Sequence, residues 1–107
     1  MNPNQLSSNE SINIRTNGTT IISVPQNPTG KLLLIAIIIN TKGASSSIAR
    51  VYDSNATLGQ NDQYRKLTLD TVNTVGRVEY GIPFTNGIYI VTETGTAPDL
   101  TVVYAKI

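Results

Sequence analysis

A chain of 107 residues with no cysteine, no histidine and no tryptophan, a net charge of +1 and only 14% charged residues excludes most chemistry at the outset. The length makes one domain with one modest core. Without Cys there is no disulfide framework, thiolate nucleophile or sulfur-rich zinc site, and without His the commonest metal ligand and general base are missing. Eight basic against seven acidic residues leave no electrostatic footprint for nucleic acid or an anionic membrane. Fourteen Thr, eleven Asn and eight Ser stand where charges are usual. That surface stays soluble without strong repulsion between copies, which suits either a β-rich protein of any kind or one that sits beside neighbours.

Met1 to Glu10 has neither the basic nor the apolar stretch of a secretory signal, and the longest apolar run, Leu32 to Ile39, is far short of the ~20 residues of a membrane-spanning helix. The expectation is a product made in the cytoplasm, with no membrane partner and no cofactor.

The first ten residues are polar and aperiodic and read as a flexible arm, leaving residues 11–107 as the folded domain. Ser11 to Arg15 alternates through Ile12 and Ile14 into Asn17-Gly18, a strong hairpin signal. Thr19 to Val24 is the next strand, stopped by Pro25 and by Asn27-Pro28-Thr29-Gly30. Lys31 to Thr41 is long and closed by Lys42-Gly43; Ser46 to Asp53 follows, then a polar loop from Ser54 to Asp62. Tyr64 to Thr71 places Leu67 and Leu69 opposite Lys66, Thr68 and Asp70, and Asn73 to Gly76 turns the chain. Arg77 to Phe84 puts Val78, Tyr80, Ile82 and Phe84 on one side; Asn86-Gly87 gives a second hairpin signal into Ile88 to Glu93. After a turn at Gly95 to Pro98, Asp99 to Ile107 is the last strand, with Leu100, Val102 and Tyr104 facing one way and Val103, Ala105 and Ile107 the other. About eight short antiparallel strands predict an all-β sandwich, either jelly-roll or immunoglobulin-like.

The long strand is the most informative. Strict alternation puts Leu33, Ile35, Ile37 and Ile39 on one face and Leu32, Leu34, Ala36 and Ile38 on the other. A sandwich has one core, so its outer faces are normally wet, and a second apolar face needs a cover. A neighbouring subunit is the expected cover, with the arm folding back, or the strand passing from one sheet to the other, as alternatives. Leu32, Leu34, Ala36, Ile38 and the terminal Ile107 are therefore the candidate subunit interface.

Catalysis fails on inventory: any Ser would need a Lys base, and none lies in a G-x-S-x-G elbow. Asp53, Asp62, Asp70, Glu79, Glu93 and Asp99 offer carboxylates, but Asp70, Glu79 and Glu93 read as solvated strand residues. Asp53-Ser54-Asn55-Ala56-Thr57-Leu58-Gly59 opens like a calcium loop yet has Leu58 and Tyr64 where an EF-hand needs Gly and Glu. An oxygen site from Asp53, Asn55 and Asp62 competes there with an ordinary turn-rich loop. For sugar binding, Tyr52, Tyr64 and Tyr89 are the rings that alternation allows to face outward.

The segments Ala49-Arg50-Val51-Tyr52-Asp53, Tyr80-Gly81-Ile82-Pro83-Phe84-Thr85-Asn86-Gly87-Ile88-Tyr89 and Gly95-Thr96-Ala97-Pro98-Asp99-Leu100-Thr101-Val102-Val103-Tyr104 occur in that order. Over about Ala44 to Ile107 the chain resembles small accessory virion proteins of tailed bacteriophages, a loose group of β-sandwich decoration and head- or tail-associated proteins. The resemblance implies a non-enzymatic virion component, often oligomeric, and identifies no binding residue. The expectation is a virion protein that self-associates, as a trimer, and docks on the major capsid protein or another particle protein. Asn4, Gln5 and Leu6 in the arm are candidate capsid contacts; a glycan-binding sandwich is the alternative.

Overall fold

The computed structural model describes residues 9–25 and 30–107. The expected arm contacts Asn4, Gln5 and Leu6 lie outside the described residues. Among the described residues there are eight strands, β1 (Glu10–Ile14), β2 (Gly18–Ile22), β3 (Leu32–Thr41), β4 (Ile48–Asp53), β5 (Arg65–Asp70), β6 (Gly76–Phe84), β7 (Ile88–Glu93) and β8 (Asp99–Lys106), and one 3-10 turn at Asp62–Tyr64. Thr- and Ile-rich alternation sets their extents, and Gly, Asn and Asp end them. Glu10, read as part of the arm, is the first residue of β1.

The strands form two four-stranded antiparallel sheets, sheet I in the order β1-β8-β3-β6 and sheet II in the order β2-β7-β4-β5. Pairing β1 with β8, β2 with β7, β3 with β6 and β4 with β5 is a long hairpin rolled up on itself, the jelly-roll alternative rather than the immunoglobulin one. Only β4 and β5, joined through residues 54–64, are neighbours both in sequence and in a sheet.

This topology corrects both hairpin expectations. Asn17-Gly18 joins β1 in sheet I to β2 in sheet II, and Asn86-Gly87 joins β6 in sheet I to β7 in sheet II. A two-residue type I′ hairpin turn requires φ above zero at both central residues. Here the asparagines lack it, while Gly18 has φ +140° and Gly87 φ +141°. The dipeptides are corners between sheets. At Gly87 a side chain is excluded twice over, since a Cβ would stand 2.6 Å from the Ser54 carbonyl oxygen. The Asp53 carboxylate fastens that corner, accepting the Thr85 and Asn86 backbone N–H groups (3.1 and 2.7 Å) and the Thr85 hydroxyl (3.1 Å). Asn17 fastens the other by donating from Nδ2 to the Gly95 carbonyl at 3.0 Å.

The core lies between the sheets. β6 gives it Phe84, with Val78, Tyr80 and Ile82 packed against it, and β8 gives Leu100 and Val102. β3 gives Leu32, Leu34, Ile37 and Ile39, a set that strict alternation cannot produce. The register slips between Leu34 and Ala36: Leu34 pairs with Tyr104 and Ala36 with Val103, leaving Ile35 as an extra residue in β3. On the other side the Leu34–Ile82 and Ala36–Glu79 pairs leave Tyr80 and Gly81 opposite Ile35, and Gly81 has φ +82°. A β-bulge thus switches parity halfway along β3. Because β3 pairs with β6 and β8 along its length, it stays in sheet I, which removes the alternative of a strand passing between sheets.

Candidate functional site

The bulge decides which apolar residues face away from the core. Cross-strand partners share a face. Leu33 pairs with Ala105, Ala36 with Val103, and Ile38 with Thr101, while Tyr104, Val102 and Leu100 pair with the inward Leu34, Ile37 and Ile39. Ile107 continues the outward row, its N–H and carbonyl exchanging hydrogen bonds with Lys31. The outer face of sheet I therefore carries two adjacent apolar rows, Leu33, Ile35, Ala36 and Ile38 on β3 beside Val103, Ala105 and Ile107 on β8. Leu33, Ile35, Ile38, Val103 and Ala105 are only half-buried and take no part in the core, and Ile107 is 57% exposed.

Polar groups frame these rows. On the edge strand β6, Arg77 pairs across from Ile38 and Glu79 across from Ala36, and the two form an ion pair with each other. On the opposite edge, β1 contributes Ser11 and Asn13. At the end near Ile38, the Asp99 carboxylate accepts from Asn13 Nδ2 (2.7 Å) and Asn40 Nδ2 (3.2 Å) and stands 3.5 Å from Arg15. These donors hold the Asp99 carboxyl below its ordinary value, Asn13 most, then Asn40, with Arg15 adding to them. Asn40 also donates to the Thr101 hydroxyl at 2.9 Å, so β1, β3 and β8 are tied together at the rim. An apolar centre in a polar, internally neutralised frame is how protein interfaces are built. The largest apolar patch on a monomer is often the one it uses for binding.

Of the residues expected at an interface, Ile38 and Ile107 are on this face. Leu32 and Leu34 are not: both are fully buried in the core, because the bulge leaves the first half of the strand with the opposite parity from the second. Ala36 is on the outer face but has no exposed surface, since its methyl lies among the larger Ile35, Ile38, Val103 and Glu79. Leu33 and Ile35 were the residues missed. In a run apolar at every position, alternation carries no sign of a switch, and the local hint is Gly81 on the neighbouring strand.

The other outer face differs. On sheet II, Tyr52 and Tyr89 are cross-strand partners packed edge to face at 6.0 Å, and Arg50 is opposite Val91 and ion-paired with Glu93. Tyr52, one of the three rings considered for sugar, is 1% exposed, while Tyr64 and Tyr89 are half-buried. The 3-10 turn lies against β4, so the polar loop folds back on this sheet.

The acidic residues are each engaged. Asp53 holds the β6–β7 corner, while Asn55 accepts from the Thr57 and Leu58 N–H groups and Asp62 is exposed near Arg65, so the three do not point their oxygens at one centre. Asp70 accepts from Asn73 and Val72, which lowers its pKa, the Asn73 side chain contributing most. Burial pushes the Tyr80 and Tyr104 phenols up, helped at Tyr104 by the Glu10 carboxylate. Among the described residues, no three Asp or Glu side chains gather as a metal site. No protein-family model matches the chain, and no curated protein is similar to it in sequence.

Proposed function

We propose that the chain is a non-enzymatic structural protein of a virus particle, a decoration or head- or tail-accessory protein that associates with itself and docks on the particle. The observation that carries this reading is the outer face of sheet I, where Leu33, Ile35, Ile38, Val103 and Ile107 form an apolar surface that the described chain covers only in part. The jelly-roll order is compatible with it, being a common architecture of capsid proteins, but it also serves lectins, so the fold alone does not choose. The surfaces favour the particle: the apolar rows suit protein contact, whereas one of the three tyrosines available to a sugar is enclosed. The carboxylates, committed to corners, rims and ion pairs, support a structural rather than a chemical role.

The test is cosedimentation of the purified chain with empty tailed-bacteriophage capsids, run alongside a glycan array. Saturable binding to particles with a blank array is expected. Binding to a sugar with no affinity for particles overturns the proposal in favour of the glycan-binding alternative.

A further inference from the structure

Resting on that reading, we propose that the outer face of sheet I is occupied by a second copy of this chain, related by a two-fold axis in the plane between the two faces, so that the self-associated form is a back-to-back dimer. A sheet face is self-complementary in this arrangement: each copy offers the other the same two apolar rows. A closed trimer instead needs two different patches meeting head to tail. The outer face of sheet II is broken up by comparison: Ile21 (39% exposed) and the half-buried Tyr89 and Ile48 are separated by the Arg50–Glu93 ion pair and by Thr19 and Thr68, and Tyr52 and Val91 are enclosed. The trimer expected from the sequence would have to set the rows of sheet I against that smaller, interrupted patch around Ile21.

Charge permits the pairing. Arg77 and Glu79 neutralise each other within one chain, as do Arg15 and Asp99, so superposing the face on its copy brings no unpaired like charges together at those positions. Area sets its strength. Four strands about 4.8 Å apart and about eight residues long at about 3.3 Å each present a face of about 500 Å². Two such faces bury about 1,000 Å², at the lower limit for a specific interface.

The chain has no cysteine, so single thiols can be placed at will. Val103 pairs with Ala36 in the middle row of the face and lies near any such axis, whereas Thr68, opposite Arg50, lies on the outer face of sheet II. Spin labels on Val103→Cys should give inter-chain distances under ~20 Å. Those on Thr68→Cys should exceed ~30 Å, because two sandwiches about 10 Å thick and a gap of the same order lie between them. Sedimentation from about 1 to 500 μM should show a monomer–dimer equilibrium, weakened at least tenfold by Ile38→Asp. Should Ile38→Asp fail to fold, Ile38→Thr, which keeps a β-branched residue, should still weaken it several-fold. A monomer throughout, a trimer, or short distances at Thr68 instead of Val103 would each overturn the inference. The particle assay is scored separately: particle binding by a chain that stays monomeric leaves the docking role standing without the dimer, and a dimer that ignores particles does the reverse.

Discussion

Four alanine substitutions along β3 test the bulge on which the exposed face depends. Strict alternation would make Leu33 and Ile37 equivalent, and likewise Leu34 and Ile38. The parity switch instead groups Leu34 with Ile37, both with no exposed surface and both in the core, and Leu33 with Ile38, both partly buried and outside it. Truncating a fully buried Leu or Ile to Ala costs about 2–5 kcal/mol through lost burial and the cavity left behind. The outward pair opens no enclosed cavity and forgoes only part of the ~1.5–3 kcal/mol of full burial, so about 1 kcal/mol is expected for each. With a urea slope of about 2 kcal/mol per molar, Leu34→Ala and Ile37→Ala should lower the midpoint by about 1–2.5 M, and Leu33→Ala and Ile38→Ala by about 0.5 M. A domain near the middle of the ordinary stability range, about 10 kcal/mol, still folds in all four cases. The measurement belongs in dilute solution, below the concentration at which copies associate. If Leu33→Ala matched Ile37→Ala while Leu34→Ala and Ile38→Ala were alike, the bulge and the outer face derived from it would both be refuted.

Asp53→Ala should cost about 2–4 kcal/mol, since it strands the Thr85 and Asn86 N–H groups that the carboxylate now satisfies; a lower melting temperature with faster amide exchange at those two residues is the expected signature. Gly87→Ala should destabilise by about 1–3 kcal/mol, because φ +141° disfavours a side chain and the added methyl meets the Ser54 carbonyl; an unchanged urea midpoint would contradict the tight corner. Acid should weaken the sheet I rim. Asp99 has its pKa lowered in the fold, so the unfolded chain takes up its proton first as pH falls. Its contribution is complete above the ordinary value of 3.8 and is lost as pH drops from there through the native value. The stability of Asp99→Asn should accordingly vary less over that window than that of the parent chain, as read from urea titrations at stepped pH.

Most of the fold is legible in the sequence because strand extent is a local property. Val78, Tyr80, Ile82 and Phe84 alternate cleanly against Arg77 and Glu79, and β6 follows that pattern onto the core. Connection type is not local. Asn17-Gly18 and Asn86-Gly87 relax the backbone in the same way whether the chain folds back beside itself or crosses to the other sheet. The choice is made by distant partners: β8 takes the place beside β1, and Asp53 captures the Thr85–Asn86 amides from 32 and 33 residues away. The jelly-roll order is likewise a long-range result, with β1 and β8 at opposite ends of the folded chain.

The candidate site was half legible, and the reason bears on what the surface is for. Register is strongly specified where one parity is apolar and the other polar, and weakly where both are apolar. From Leu32 to Ile39 the chain offers no polar residue to hold a face outward, so the neighbours set the switch: Tyr104 and Val103 on one side, Tyr80 and Gly81 on the other. Threonines in place of Leu33, Ile35 and Ile38 would keep β propensity and pin the register more firmly than the residues present. A chain shaped by folding alone would give up no more than about 1 kcal/mol of partial burial at each by carrying them, against a firmer register, and this chain is already rich in Thr. Apolar side chains at these three places weaken register specification and expose a sticky surface, and the core draws no packing from them. The larger part of their burial is realised when that surface is covered, which is the reason for assigning it to contact with another chain.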